Sequence, residues 1–248
     1  ERKNVKESNR SDEKTIHMVY SIMKDGKLLE GEDSSLSKEH REYLHERGIS
    51  DEDIERNEYF SFPTRKAKRK IIARLKKRGF DEDILIGIPG FYREVKKNKM
   101  TFSVIKGIGI PIYNANHRIV GIQIRRDEVK EGQSRYVWFS SAFAEMCDDL
   151  DSGTAQGAPV DVCIPEKMKT STIFLTEGHF KADVLRKRFD SVSMSVQGIG
   201  NWQYIDQDIK VILQKYRGIK NVYVAFDADM AHNINVGLQA MKMTSFIQ

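Results

Sequence analysis

Apolar residues recur at helical spacing in the first third of the chain and at strand spacing later. Ile16, Val19, Tyr20 and Met23 fall on one stripe and predict a helix over Glu13 to Met23. Residues 1 to 12 are polar and expected to fray, and Lys24 to Ser35 reads as a loop. Leu36, His40, Tyr43 and Leu44 predict a second helix, stopped by Arg47 and Gly48. Ser50 with Asp53 three residues on is a capping box that opens a short third helix. The pattern Leu44-x-x-Arg47-Gly48-Ile49 then Asp51-Glu52-Asp53-Ile54 is echoed by Leu75-x-x-Arg78-Gly79-Phe80 then Asp81-Glu82-Asp83-Ile84. The offset is 31, then 30 after one deleted residue. Two copies do not make a solenoid; they read as two helix–turn–helix elements of one helical lobe.

From Met100 the texture becomes β-like. Phe102 to Tyr113, with Gly107 and Gly109 as expected bulges, is followed by a turn at Asn114 to His117. Arg118 to Arg126 and Arg135 to Ser140 complete an antiparallel hairpin sheet whose polar face carries Arg118, Arg125 and Arg126. Asp148 to Pro159 reads as a loop and subdomain boundary. Beyond it strands and helices alternate. Thr172 to Thr176, Ser191 to Val196 and Asn221 to Phe226 are short unbroken apolar runs, as expected of strands buried on both faces of a parallel sheet. The intervening helices, His179 to Arg188 and Ile205 to Tyr216, carry apolar stripes through Ala182 and Leu185 and through Ile205, Ile209, Ile212, Leu213 and Tyr216. The expected fold class is α/β, or α+β overall: a βαβαβ parallel-sheet domain preceded by a basic helical lobe and an antiparallel hairpin sheet.

Charge changes the picture once it is divided by position. The 248 residues carry a net charge of +5, yet residues 60 to 130 hold 18 basic and 6 acidic side chains, net +12. Residues 131 to 248 are net −2. A basic segment of this length suits a polyanion such as nucleic acid. The candidate DNA-binding residues are Arg65, Lys66, Lys68, Arg69, Lys70, Arg74, Lys97 and Arg118. Two cysteines, Cys147 and Cys163, exclude a four-cysteine zinc site and fit a reducing, cytoplasmic setting. No apolar run approaches the ~18 residues of a membrane helix.

In an open parallel sheet, active groups gather beyond the carboxyl ends of the strands. Glu177, Asp227 and Asp229 fall there, at the ends of the first and third strands of the repeat. Crowded carboxylates repel one another unless a cation or proton neutralises them. Hard oxygen ligands suit Mg²⁺ or Mn²⁺, which can polarise a phosphoryl oxygen. Gly198 and Gly200, after the second strand, either let a phosphate approach the backbone or make a tight turn. Lys181, one helical turn past Glu177, either holds a substrate phosphate or offsets the acids. Arg125 and Arg126 join Lys181, Gly198 and Gly200 as candidate nucleotide-binding residues.

Leu175-Thr176-Glu177-Gly178, the Gly198/Gly200 loop and Phe226-Asp227-Ala228-Asp229 together resemble a Toprim domain. That is the metal-binding unit of bacterial replicative primases, phage primase–helicases, topoisomerases and some nucleases. Ile108 to Tyr113 with Arg118 to Ile122 resembles the basic subdomain that precedes Toprim in primases, as does Tyr43-Leu44 with Arg47 to Ser50. Tyr136 to Ser141 and Thr176 to Asp183 are similar to primase-like domains of plasmid, phage and integrative-element replication proteins. The chain departs from the replicative pattern in having Lys181 where an Asp is usual, and Met230-Ala231-His232 after the Asp-x-Asp.

The resemblance implies a division into an N-terminal helix and linker over 1–35, a basic primase-like subdomain over 36–150 and a Toprim domain over 151–248. It implies a DNA primase core that makes short primers on single-stranded DNA from nucleoside triphosphates. Mg²⁺ or Mn²⁺ would be the cofactor, a replicative helicase a further partner, and no membrane would be involved. Asp227 and Asp229 would hold the ion, and Glu177 would serve as ligand or general base. Two alternatives share these residues: a Toprim-type metal-dependent nuclease, and a catalytically silent DNA-binding or loader module.

Overall fold

The computed structural model describes residues 10–25, 36–226 and 234–247. They divide into two compact units, residues 1–111 with 119–157 and residues 112–118 with 158–248.

The first unit opens with α1 (Glu13–Met23), which buries the predicted stripe of Ile16, Val19, Tyr20 and Met23. Asp12 caps it by accepting the N–H groups of Lys14 and Thr15. α2 (Lys38–Glu46) and α3 (Asp51–Asn57) follow, and the Ser50/Asp53 capping box closes in both directions. α4 (Arg65–Lys77) and α5 (Glu82–Ile86) repeat the pair.

The repeat has a structural cause. Ile49 N–H donates to Leu44 O and Gly48 N–H to His45 O, and Phe80 and Gly79 make the equivalent bonds to Leu75 and Lys76. Each is a Schellman turn with a left-handed glycine, Gly48 or Gly79. The structure corrects the alignment of the two copies. Asp81 caps α5 as Ser50 caps α3, and Leu85 is buried as Ile54 is, so the offset stays at 31 with no deletion. Cap and buried position decide the equivalence, and the run of acids does not.

Two antiparallel sheets complete this unit. β1 (Phe60–Ser61), β4 (Gly107–Tyr113), β5 (Ile119–Arg126) and β6 (Tyr136–Trp138) form one, in the order β1-β4-β5-β6. β3 (Lys99–Phe102), β2 (Phe91–Glu94) and β7 (Leu150–Asp151) form the other, so the expected Asp148–Pro159 loop contains a short strand. Gly109 is not a bulge. It pairs in register with Phe60, and a Cβ there would lie 2.4 Å from the Phe60 ring. The expected polar face of β5 is covered: its residues are buried from Ile119 through Arg125. The core centres on Phe139, whose ring lies 5.1 to 6.0 Å from those of Phe62, Tyr20, Phe91 and Phe102.

The second unit holds β8 (Asp161–Cys163), β9 (Thr172–Glu177), α6 (His179–Phe189), β10 (Val192–Val196), α7 (Asp206–Lys215), β11 (Asn221–Val224) and α8 (Ile234–Ile247). Strand order is β11-β9-β10-β8; β9, β10 and β11 are parallel and β8 is antiparallel to β10. This is the expected βαβαβ unit with one added strand. Because β10 and β11 flank β9 on opposite sides, right-handed crossovers place α6 and α7 on opposite faces. Ile173, Leu175, Val192, Met194 and Val196 pack against Ile205, Ile209, Ile212 and Met243 on one face.

The other face is polar toward β8 and β10, while on β9 and β11 Phe174 stacks with Phe189 and Tyr223. Ser193 hydroxyl donates to the Ala182 carbonyl of α6, and Ser195, Thr176 and Asp161 are buried there. α6 answers with His179, Asp183 and Arg186, while Leu185 is only partly buried and Val184 is 63% exposed. Of the predicted apolar stripe Ala182 is buried and Leu185 only partly so; the rest of the inward face is polar, because buried hydroxyls and carboxylates need hydrogen-bonding partners. β11 is an edge strand with Tyr223 58% exposed, so burial on both faces holds for β10 and not for β11.

Phe139→Ala should destabilise the first unit by about 3–5 kcal/mol, because four aromatic rings lose their common contact. Urea unfolding followed by tryptophan fluorescence and circular dichroism reads this directly.

Candidate active site

β9 delivers Glu177 to the carboxyl edge of the sheet, opposite Val196 of β10. Gly178 follows with φ 80, a conformation that lets the chain leave the strand and enter α6 at once. Gly178 N–H donates to Val196 O at 3.2 Å, which closes the turn. Beside it, β11 ends its ladder at Val224 opposite Leu175. Two more bonds continue past that point. Ala225 N–H donates to Leu175 O at 2.7 Å, and the Thr176 hydroxyl donates to Ala225 O at 2.7 Å. Phe226 is the last described residue before the Asp-x-Asp; Asp227 and Asp229 lie outside the described residues.

Glu177 is half-buried on a rigid strand end and offers a hard oxygen donor. That chemistry fits Mg²⁺ or Mn²⁺, and the two aspartates are oxygen donors of the same kind. Gly198 has φ 95, and a Cβ at Gly200 would meet nothing within 4 Å. Both are exposed in the turn after β10, where the Asn201 side chain donates to Gln197 O at 2.7 Å. Lys181 is exposed on the first turn of α6.

Behind Glu177 lies a buried cluster drawn from parts of the chain far apart in the sequence. Asp161 Oδ2 accepts from His179 Nδ1 at 2.7 Å and from Cys163 Sγ and Ser195 Oγ at 3.5 Å each. Its Oδ1 accepts the backbone N–H of Tyr113 at 3.2 Å. Burial alone would lower the His179 pKa, but the charge and hydrogen bond of Asp161 outweigh it, and the net shift is upward. Burial, and then the Asp161 charge, pushes the Cys163 thiol well up. Asp161, Cys163 and His179 are the metal-type cluster among the described residues, with ligand atoms within 4.8 Å of one another. The His179–Asp161 separation is that of a hydrogen bond, however; two ligands of a tetrahedral zinc ion stand about 3.3 Å apart. The trio is a hydrogen-bonded network that anchors the start of α6. One signal pointed to it: Val160, Val162 and Ile164 alternate with Asp161 and Cys163 at a strand's period of two.

The basic residues of the first unit differ in what they can offer a ligand. Arg65, Lys66, Arg69 and Lys70 stand exposed on α4. Arg65 and Lys66 occupy the first turn, which has no acidic residue. Cations are disfavoured there by the helix dipole, so a bound anion would stabilise both them and the helix end. Lys68 instead donates its ammonium to Phe102 O at 3.0 Å, and burial lowers its pKa. Arg74 bonds Asp25 at 2.5 Å, and Lys97 bonds Glu94 at 2.8 Å. Arg126 donates to Gln133 at 3.0 Å. Arg118 is exposed at the β4–β5 turn, in the second unit.

Arg125 is 9% exposed, with its guanidinium 3.7 Å from the centroid of the Tyr43 ring. Its Nε has no hydrogen-bond partner among the described residues. Tyr43 is held in place through α2. Ser37 N–H donates to Ser61 Oγ at 2.8 Å, leaving the Ser61 proton for His40 Nδ1 at 2.7 Å. His40 Nε2 then donates to Asp127 at 2.9 Å, which pins α2 to the end of β5.

No protein-family model matches the chain, and no curated protein does. Solved structures do. The RNA polymerase domain of Mycobacterium tuberculosis primase DnaG aligns with TM-score 0.61 and 13% identity, over 94% of this chain and 72% of that one. The zinc-binding and RNA polymerase domains of Aquifex aeolicus primase align with TM-score 0.55 and 16% identity, over 90% and 50%. A DnaG primase catalytic domain bound to single-stranded DNA aligns with TM-score 0.56 and 16% identity, over 88% and 64%. At these identities the likeness is one of fold: the chain has the mixed α/β fold of a primase catalytic core. It spans 50 to 66% of the length of the first three such structures. No helix among the described residues is long and apolar enough to cross a membrane.

Asp161→Ala should cost about 3–5 kcal/mol, because it strands the His179 ring N–H in a buried place. Adding His179→Ala should cost little more, giving a coupling energy toward the upper part of the ~0.5–3 kcal/mol range seen for contacting residues. A double-mutant cycle in urea measures it.

Proposed function

We propose that the chain is a DNA primase core, which synthesises short primers on single-stranded DNA by metal-dependent nucleotidyl transfer. The observation that carries this reading is the register at the sheet edge. Ala225, two residues before Asp227, is bonded to the strand that ends in Glu177. The fold shared with primase catalytic cores supports it, and one of those cores is described as bound to single-stranded DNA.

In this reading Glu177, Asp227 and Asp229 hold Mg²⁺ or Mn²⁺. When bound, the ion polarises the α-phosphoryl oxygen of a nucleoside triphosphate and neutralises the charge that develops in transfer. The primer 3′ oxygen forms a bond to the α-phosphorus as the bond to pyrophosphate breaks, and the hydroxyl proton passes to Glu177 or, where Glu177 serves as a ligand, to water. Lys181 and the Gly198–Gly200 turn receive nucleotide phosphates. Arg125, with its guanidinium over the Tyr43 ring, and Arg126 contact phosphate or base. Arg65, Lys66, Arg69 and Lys70 hold template phosphates, with Lys68, Arg74, Lys97 and Arg118 contributing charge. The resemblance of Tyr136–Ser141 and Thr176–Asp183 to plasmid, phage and integrative-element proteins suggests replication of such an element, alongside a helicase.

Incorporation of labelled nucleotides on single-stranded templates with Mg²⁺ or Mn²⁺ tests the reaction. Wild-type chain should give short products, and Glu177→Gln and Asp227→Asn should lower the rate on the order of 10²–10⁴-fold. No product on any template, or variants as active as wild type, overturns the reading. Cleavage of labelled DNA without incorporation would favour a nuclease at the same residues.

Template binding is tested by titrating fluorescent single-stranded DNA at several salt concentrations. Arg65→Gln, Lys66→Gln and Arg69→Gln together should flatten the log–log salt dependence by about 2, at ~0.7 per phosphate contact. Glu177→Gln should leave that slope unchanged.

A further inference from the structure

We propose that Thr176 is a positioning residue for the metal site, acting through the backbone carbonyl of Ala225. The proposal rests on the reading that Glu177, Asp227 and Asp229 hold a divalent ion.

Three observations carry it. First, β11 lies at the edge of its sheet among the described residues, where β9 is its one strand neighbour. Second, the ladder between them stops at Val224 opposite Leu175, before the acidic segment begins. Third, β9 grips the next residue at both its polar groups: Leu175 O accepts Ala225 N–H, and the Thr176 hydroxyl donates to Ala225 O, both at 2.7 Å. The second of these bonds comes from a side chain and extends the pairing beyond the ladder.

Thr176 is 1% exposed, on a strand where valine would fill the same volume. A buried hydroxyl is retained at a cost unless it is bonded, and here its proton goes to one carbonyl. That bond joins the residue before Glu177 to the residue two before Asp227. Carboxylates brought together repel each other when no cation lies between them. An edge strand held by few bonds is free to yield to that repulsion, and the Thr176 bond opposes it. Thr176 touches neither ion nor substrate in this scheme. Its effect is on the spacing of the donors, and groups that orient metal ligands commonly change affinity by 10–100-fold.

The test is direct binding of Mn²⁺ to the full chain, without nucleotide, read by electron paramagnetic resonance of the free ion. Wild type, Thr176→Val, Thr176→Ser and Glu177→Gln are compared, with circular dichroism melting to check that each is folded. Thr176→Val should weaken Mn²⁺ binding on the order of 10-fold. Thr176→Ser, which keeps the hydroxyl, should stay within about 3-fold of wild type. Glu177→Gln should lose binding. If Glu177→Gln loses binding while Thr176→Val binds as wild type does, the positioning role is overturned and the metal site stands. If Thr176→Ser falls as far as Thr176→Val, the hydroxyl is not the operative group and the role is again overturned. If wild type binds no Mn²⁺, or Glu177→Gln binds as wild type does, the metal reading fails and this proposal with it.

Discussion

A carboxylate at 1% exposure has to be met by donors, and Asp161 is met from four places: the Tyr113 backbone, Cys163 on its own strand, Ser195 on β10 and His179 on α6. An uncompensated charge at that depth would cost several kcal/mol, so the arrangement of its donors is closely constrained. Satisfying Asp161 aligns β8 with β10 and seats the first residue of α6. The turn at Gly178 is then fixed between a strand end and an anchored helix, and Glu177 is held at the edge of the sheet.

The same constraint explains why the two faces of this sheet differ. On the α7 and α8 side, burial is apolar and packing alone is sufficient. On the α6 side, hydroxyls and carboxylates are buried, so the helix turns Asp183 and Arg186 inward as a bonded pair, with the carboxylate accepting at 2.7 and 2.9 Å. The helix leaves Val184 toward solvent as a result, while Phe189 at its end stacks on Phe174 of β9. A polar interior is costlier to assemble than an apolar one, but its bonds are directional. Directional bonds are what a site needs when donor oxygens must be held at fixed spacing. The first unit solves burial in the other way, by gathering aromatic rings around Phe139, and reserves its hydrogen-bond chain through His40 for setting Tyr43 against Arg125.

Much of this was legible along the chain because it depends on near neighbours. The bounds of α1, the Ser50 cap, the glycine stops at Gly48 and Gly79, and the strand–helix alternation after residue 170 all follow from local periodicity and turn chemistry. So does the placement of Glu177 at a strand end. β8 is not legible in this way, because three residues carry too little pattern even with their alternation. On α6 the apolar spacing marks Ala182, which is buried, but cannot report that the facing sheet is lined with serine and aspartate.

The sequence by itself therefore determined the elements, the division of charge and the candidate acids, since each rests on residues within a turn or a strand of one another. The tertiary structure alone decided which polar groups lie inside and what they bond. Arg125 became a buried cation on Tyr43, 82 positions away in the chain, and Lys68 was committed to the Phe102 carbonyl. Thr176 was tied to Ala225 across 49 residues. Hydrogen bonds and desolvation act through space, and no local pattern encodes the partner.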